Sequence, residues 1–218
     1  MNFLSELYLL NRNFFYYPCR PVLRIENHTA SRSHGVINLN KHYLLHNDLY
    51  LKARNLAEAL AKELDTFKRL VVLGIGNELR GDDTAGVLVV KKLKRALKDL
   101  KNVLIINCGT APENFLSKVK AFSPSHVLVI DAIDFKGESG SVILYEAEKE
   151  MIESISTHRL SVSLVRAYLE ESGLKTKFFL IGIQPKNILL GARISHEVNE
   201  AVEIITKILK KIIKKAAS

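Results

Sequence analysis

Cysteine occurs twice in this chain and glutamine once, and no apolar run reaches the length of a membrane span. Each scarcity excludes something. Cys19 and Cys108 stand far apart in unlike contexts, and neither belongs to a CxxC pair. That rules against a disulfide framework and fits a reducing cytoplasm. The N-terminal stretch MNFLSELYLLNRNFFYYP is apolar, but Glu6 and Arg12 interrupt it, and it lacks the basic-then-apolar layout of a signal peptide. No membrane insertion is expected. The single glutamine, Gln184, sits in a body rich in Lys, Glu and Ile, a composition that leans towards thermophiles, although asparagine is not depleted.

What is present reads as one soluble α/β unit. The chain has 218 residues, 47% hydrophobic and 25% charged, enough for one domain with a sizeable core. The net charge of +9 raises the question of an anionic partner. The lysines, however, are spread over helical stretches, often with acids beside them, as in KKLKRALKDLK. No RNP-like, zinc-finger or aromatic-interleaved basic motif accompanies them, so the charge is read as solvated surface and no nucleic acid is expected. The C-terminal KILKKIIKKAAS is read in the same way.

Composition breaks near residue 50. The first 50 residues hold one of the 21 lysines but five of the seven tyrosines and four of the seven histidines. They show no periodicity of 2 or 3.6. Residues 1–48 are read as an appendage of unknown role, and 49–218 as the α/β domain. Within the appendage, His42 and His46 have helical i, i+4 spacing but no third nearby ligand.

From Leu49 the pattern is regular. LYLKARNLAEALAKELDTFKR is an amphipathic helix with Leu56, Ala59, Leu60, Ala61 and Leu64 on its buried stripe. Strands RLVVLGIG, NVLIIN and HVLVIDAI then alternate with helices DDTAGVLVVKKLKRALKDL and PENFLSKVKAF, the latter with Pro112 at its start. Continuous Val/Ile/Leu runs predict a mainly parallel sheet covered on both faces. The connection DFKGESGS is too short for a crossover helix, so SVILYEA is expected to run antiparallel. Helix STHRLSVSLVRAYLEES, strand KTKFFLIGI and a helix from Ser195 complete the chain. The expected fold is a three-layer α/β/α sandwich with a five-stranded, mixed, mostly parallel sheet.

The first strand leads into VVLGIGNELRGDDTAG. Gly74 and Gly76 satisfy two places of a dinucleotide fingerprint, but Leu79 stands at the third. Gly76 and Gly81 have P-loop spacing, but Asp82 and Asp83 replace the lysine and hydroxyl. A phosphate here would meet two carboxylates, so the loop suits a cation. One aspartate can simply cap the following helix, which leaves the other over.

Sites in open α/β sheets form beyond the carboxyl ends of the strands. Asn77, Asp82 and Asp83 stand there after the first strand, Asn107 and Cys108 after the second, and Asp131, followed by Asp134, after the third. Asp131 interrupts an apolar strand, and a buried carboxylate calls for a partner. His158 opens a later helix, where the dipole favours a neutral, ligating ring; it equally fits a surface first turn. Cys108 is read as a packed small residue. Two carboxylates and an imidazole on one rim make an open site for a divalent borderline metal.

Taken in order, GIGNELRGDDTAG, IDAID and STHRLS resemble the hydrogenase maturation protease family across residues 70 to 190 or so. These endopeptidases trim the C-terminus of the large subunit of [NiFe] hydrogenases. The resemblance implies a mixed five-stranded sheet between helices. It also implies that Asp83, Asp131 and His158 are the metal-contacting, catalytic residues. The nickel would be carried by the precursor and recognised there, not held as a resident ion. Thr84 departs from a position where the family often has glycine, and Asn107-Cys108 replaces an acid-containing pair. No Ser/His/Asp or Cys/His arrangement is visible that would replace the metal site. Two alternatives stand beside this: a peptidase or amidohydrolase with its own metal, and a module that binds the precursor without cutting it. A nucleotide-binding module is disfavoured by the missing lysine and glycine.

Overall fold

A computed structural model of the chain describes residues 43–44, 49–146 and 159–217. The strands are β1 (Tyr43–Leu44), β2 (Leu70–Ile75), β3 (Val103–Gly109), β4 (His126–Ala132), β5 (Val142–Glu146) and β6 (Lys177–Ile183). The helices are α1 (Leu49–Leu64), α2 (Ala85–Ala96), α3 (Leu116–Phe122), α4 (Arg159–Glu171) and α5 (His196–Ala216). Short 3-10 turns at Gly81–Thr84 and Pro112–Phe115 lead into α2 and α3.

The sheet order is β1-β5-β6-β4-β2-β3. β3, β2, β4 and β6 are mutually parallel, and β5 runs antiparallel to β6, as its short connection requires. The five expected strands are joined at one edge by the two-residue β1, which pairs antiparallel with β5 and comes from the stretch read as an appendage. His42 and His46 lie outside the described residues.

Alternation along the strands splits the core into two layers. Leu70, Val72, Leu128, Ile130, Phe179 and Ile181 face α1, α2 and α5. Val71, Leu73, Val127, Val129, Phe178 and Leu180 face α3 and α4. Helices on both faces explain why the central strands read as unbroken apolar runs: β2 and β4 are buried at every residue. The expected stripe of α1 holds at Leu56, Ala59, Leu60 and Leu64; Ala57 is fully buried, whereas Ala61 is only partly covered. α5 buries Ile205, Leu209, Ile212 and Ile213 and exposes Lys207 and Lys210, the solvated basic face read from the sequence. Among the described residues, no helix is long and apolar enough to cross a membrane.

Two glycines set the approach of α2 to the sheet. A Cβ on Gly74 would lie 2.4 Å from the Gly86 carbonyl oxygen, and one on Gly86 would lie 2.2 Å from that of Ile130. The first turn of α2 therefore rests against the ends of β2 and β4. This is where the strand order reverses: the chain leaves β2 for β3 on one side and returns to β4 on the other. Such a switch point opens a crevice at the carboxyl ends of the two strands.

Candidate active site

The glycine-rich loop is filled by its own backbone. Gly76 has φ 142°, and a Cβ there would stand 1.8 Å from the carbonyl oxygen of Asp83. Gly81 has φ 50°, and a Cβ there would stand 2.4 Å from the carbonyl oxygen of Asn187. These glycines bring protein backbone against protein backbone. They do not cradle a phosphate.

The two aspartates that follow have separate tasks, and neither caps α2. The capping position is Thr84, with no side-chain hydrogen bond. Asp82 is fully buried. Its Oδ2 accepts the amides of Lys186 and Asn187, each at 2.8 Å, and its Oδ1 accepts the amide of Ser195 at 2.6 Å. The Ser195 hydroxyl donates to Oδ2 at 3.0 Å, and the Asp82 amide donates to the Asn187 carbonyl at 2.9 Å. Asp82 thus ties the loop after β2 to the loop after β6. Three amides and a hydroxyl supply the compensation that a buried carboxylate requires. The Ser195 hydroxyl is committed there and makes no capping bond to α5.

Asp83 is also buried. Its Oδ2 accepts the amide of Asn77 at 2.9 Å, which fixes the carboxylate across the loop. The turn that carries it packs against β4. Asp131, fully buried, is the penultimate residue of β4 and pairs in register with Gly182 of β6. By strand alternation it shares the face of Val127 and Val129, the face that α4 covers. Asp83 thus lies in the turn after β2, and Asp131 near the end of the neighbouring strand β4. His158 immediately precedes α4 in sequence and lies outside the described residues. Among the described residues, no three His, Cys, Asp or Glu side chains group to hold an ion.

Around these acids the loops are braced by side chains that sequence reasoning did not assign. Gln184 is the central brace. Its Oε1 accepts the amides of Phe135 (2.9 Å) and Gly137 (3.1 Å). Its Nε2 donates to Asp134 Oδ1 and to the Pro185 carbonyl, both at 3.1 Å. The loop after β4 is thereby fastened to the end of β6. Asp134 also accepts Lys136 Nζ at 2.5 Å, and the hydrogen bonds from Lys136 and Gln184 hold its carboxyl at about 2. Asp134 is thus a loop anchor. Asn107, which stands where the family has an acid-containing pair, accepts the amide of Gly109 at 3.0 Å and closes a turn. Cys108 is buried, and burial, with the Glu113 carboxylate second, pushes its thiol up to about 12. A thiol so rarely ionised is no nucleophile, in line with its reading as a packing residue. The Asp82 and Gln184 contacts left no local signal: most of their partners are distant in sequence.

The molecule is a doubly wound α/β sandwich with buried acids at its switch point. Comparison with known proteins narrows this. A sequence model described as hydrogenase maturation protease matches residues 87–212, more than half of the chain. The chain belongs to the hydrogenase maturation protease family. Protein MJ0631 of Methanocaldococcus jannaschii, named for the same family, is 36% identical over 162 residues, covering 72% of this chain and 95% of that one. The crystal structure of the [NiFe] hydrogenase maturation protease HycI from Thermococcus kodakarensis superposes with a TM-score of 0.66 at 38% identity, covering 71% of this chain and 98% of that one. The hydrogenase maturating endopeptidase HybD of Escherichia coli gives a TM-score of 0.57 at 25% identity, covering 67% and 93%.

Proposed function

We propose that this protein removes the C-terminal extension of a [NiFe] hydrogenase large-subunit precursor after nickel insertion, and that Asp83, Asp131 and His158 read the inserted metal. The observation that supports the reading is that Asp83 and Asp131 are both buried, one in the turn after β2 and the other near the end of the adjacent parallel strand β4. The Asn77 amide orients the Asp83 carboxylate before any substrate arrives, which lowers the cost of engaging a cation. Two oxygens and one imidazole nitrogen are a modest donor set for a borderline metal, suited to joining a coordination sphere that the precursor already provides. The nickel belongs to the substrate. The protein's part is to position the tail against it and to limit cleavage to loaded precursor. Membership of the hydrogenase maturation protease family supports the partner, and burial of the Cys108 thiol argues against a cysteine route.

The test is incubation of the protein with nickel-loaded and nickel-free precursor, followed by intact-mass measurement. Loss of the tail from loaded precursor alone is the expected result. Asp83→Asn, Asp131→Asn and His158→Ala are expected to abolish that loss while melting within a few degrees of the parent. Normal tail removal by all three variants would overturn the reading. A metal bound stoichiometrically to the protein without precursor would instead favour a peptidase with its own ion.

A further inference from the structure

The two loops joined by Asp82 also carry most of the exposed apolar bulk of the described molecule. Five large apolar side chains are exposed among the described residues, and four lie here: Leu79 (68%), Ile188 (39%), Leu189 (68%) and Leu190 (72%). They belong to one surface, because the Gly191 amide donates to the Leu79 carbonyl at 2.7 Å.

This surface is built. The Leu79 amide donates to Asn77 Oδ1 and the Leu189 amide to Asn187 Oδ1, both at 2.9 Å. The Ala192 amide closes the turn on the Leu189 carbonyl at 3.1 Å, and Gly191 takes φ 78°. Asn77 and Asn187 are the same residues whose amides bind Asp83 and Asp82. One framework therefore positions the buried acids and holds the leucines in water. An apolar cluster held rigid in solvent marks a contact surface, since no folding advantage comes from exposing it.

The flanking charges indicate what it contacts. Glu78 is paired with Lys91 at 2.5 Å and Lys186 with Glu197 at 2.6 Å, so these two flanking charges are matched within the protein. Arg80 directly follows Leu79 and Arg193 lies three residues beyond Leu190, both exposed, so the surface is apolar with a basic margin, and the segment that fits it is apolar with an acidic flank. We infer that Leu79, Ile188, Leu189 and Leu190 seat such a segment of the large-subunit precursor beside the bond to be cut, and so determine substrate specificity. The inference rests on the proposed proteolytic function and adds a docking step that is independent of the metal.

The experiment compares the wild type with a Leu79→Ser, Leu189→Ser, Leu190→Ser triple variant. All three positions are exposed, and unchanged melting checks the fold. On nickel-loaded precursor the variant is expected to show KM raised at least about tenfold with kcat within about twofold. Nickel-free precursor is expected to bind the wild type at least about tenfold more tightly than the variant. Equal kcat/KM and equal binding would overturn the inference. So would a wild-type dimer that the substitutions split without loss of cleavage, which would make a second copy the occupant. If the wild type binds precursor but never cuts it, the proposed function fails while the binding comparison still decides the docking surface.

Discussion

The carboxylate of Asp82 accepts both the amide and the hydroxyl of Ser195, a residue 113 positions away, at 2.6 and 3.0 Å. Its neighbour Asp83 instead binds the amide of Asn77, six positions back. Two consecutive aspartates thus serve different ends, and mutation separates them. Asp82→Ala removes the acceptor of three part-buried amides and a hydroxyl and is expected to cost about 3 kcal/mol. For a domain of this size that lowers the melting temperature by about 6–12 °C. Asp83→Asn retains an oxygen for the Asn77 amide and is expected to cost less than about 1 kcal/mol while eliminating cleavage. Calorimetry and intact-mass assays on the pair are decisive; equal melting of the two variants would contradict the assignment.

Gly86→Ala sets helix propensity against packing. Alanine in a helix is favoured over glycine by about 1 kcal/mol. The new Cβ, however, would lie 2.2 Å from the Ile130 oxygen and 2.5 Å from the Ile75 oxygen, both backbone atoms. Relief requires α2 to lift from β2 and β4, with an expected net loss of about 1–3 kcal/mol. A denaturant midpoint that rises on substitution would refute the close approach.

His126 stacks on Phe179 at the opposite end of β4, with ring centroids 6.2 Å apart, and is in register with Lys177. Burial first, and the Lys177 charge second, lower its pKa from 6.5, against a smaller opposing pull from the Glu63 backbone. The unfolded chain therefore takes up a proton more readily than the folded one. The resulting stability is complete above pH 6.5 or so and declines as the pH falls below it. Denaturant titrations between about pH 7.5 and 5 are expected to show this slope, and His126→Phe to flatten it. An unchanged slope in the variant would assign the effect elsewhere.

Cys108 provides a chemical test of mechanism. With its thiol at about 12, alkylating reagents at neutral pH are expected to leave it unmodified in the folded protein. Cys108→Ala is expected to retain cleavage. Loss of activity with an intact fold would reopen a thiol mechanism.

The sheet was legible because its central strands are buried on both faces and so read as uninterrupted Val/Ile/Leu runs. The direction of β5 followed from the shortness of Asp134–Ser141, which leaves no room for a crossover. Asp83 and Asp131 were legible as carboxylates at strand ends. The separate duty of Asp82 was not: a local reading sees a helix start with an available cap, whereas its main partners lie beyond β6. Gln184 drew notice only for its rarity, since its amide contacts join two loops through tertiary folding.

That amide acts from both ends at once, as acceptor for two backbone N–H groups and donor to a carboxylate and a carbonyl. No other side chain of that length offers both functions. Glutamate would turn a donor into a second negative charge facing Asp134, and leucine would leave four polar groups unserved. Slow hydrolysis of that one side chain to a carboxylate would set like charge against Asp134 and age the rim of the molecule.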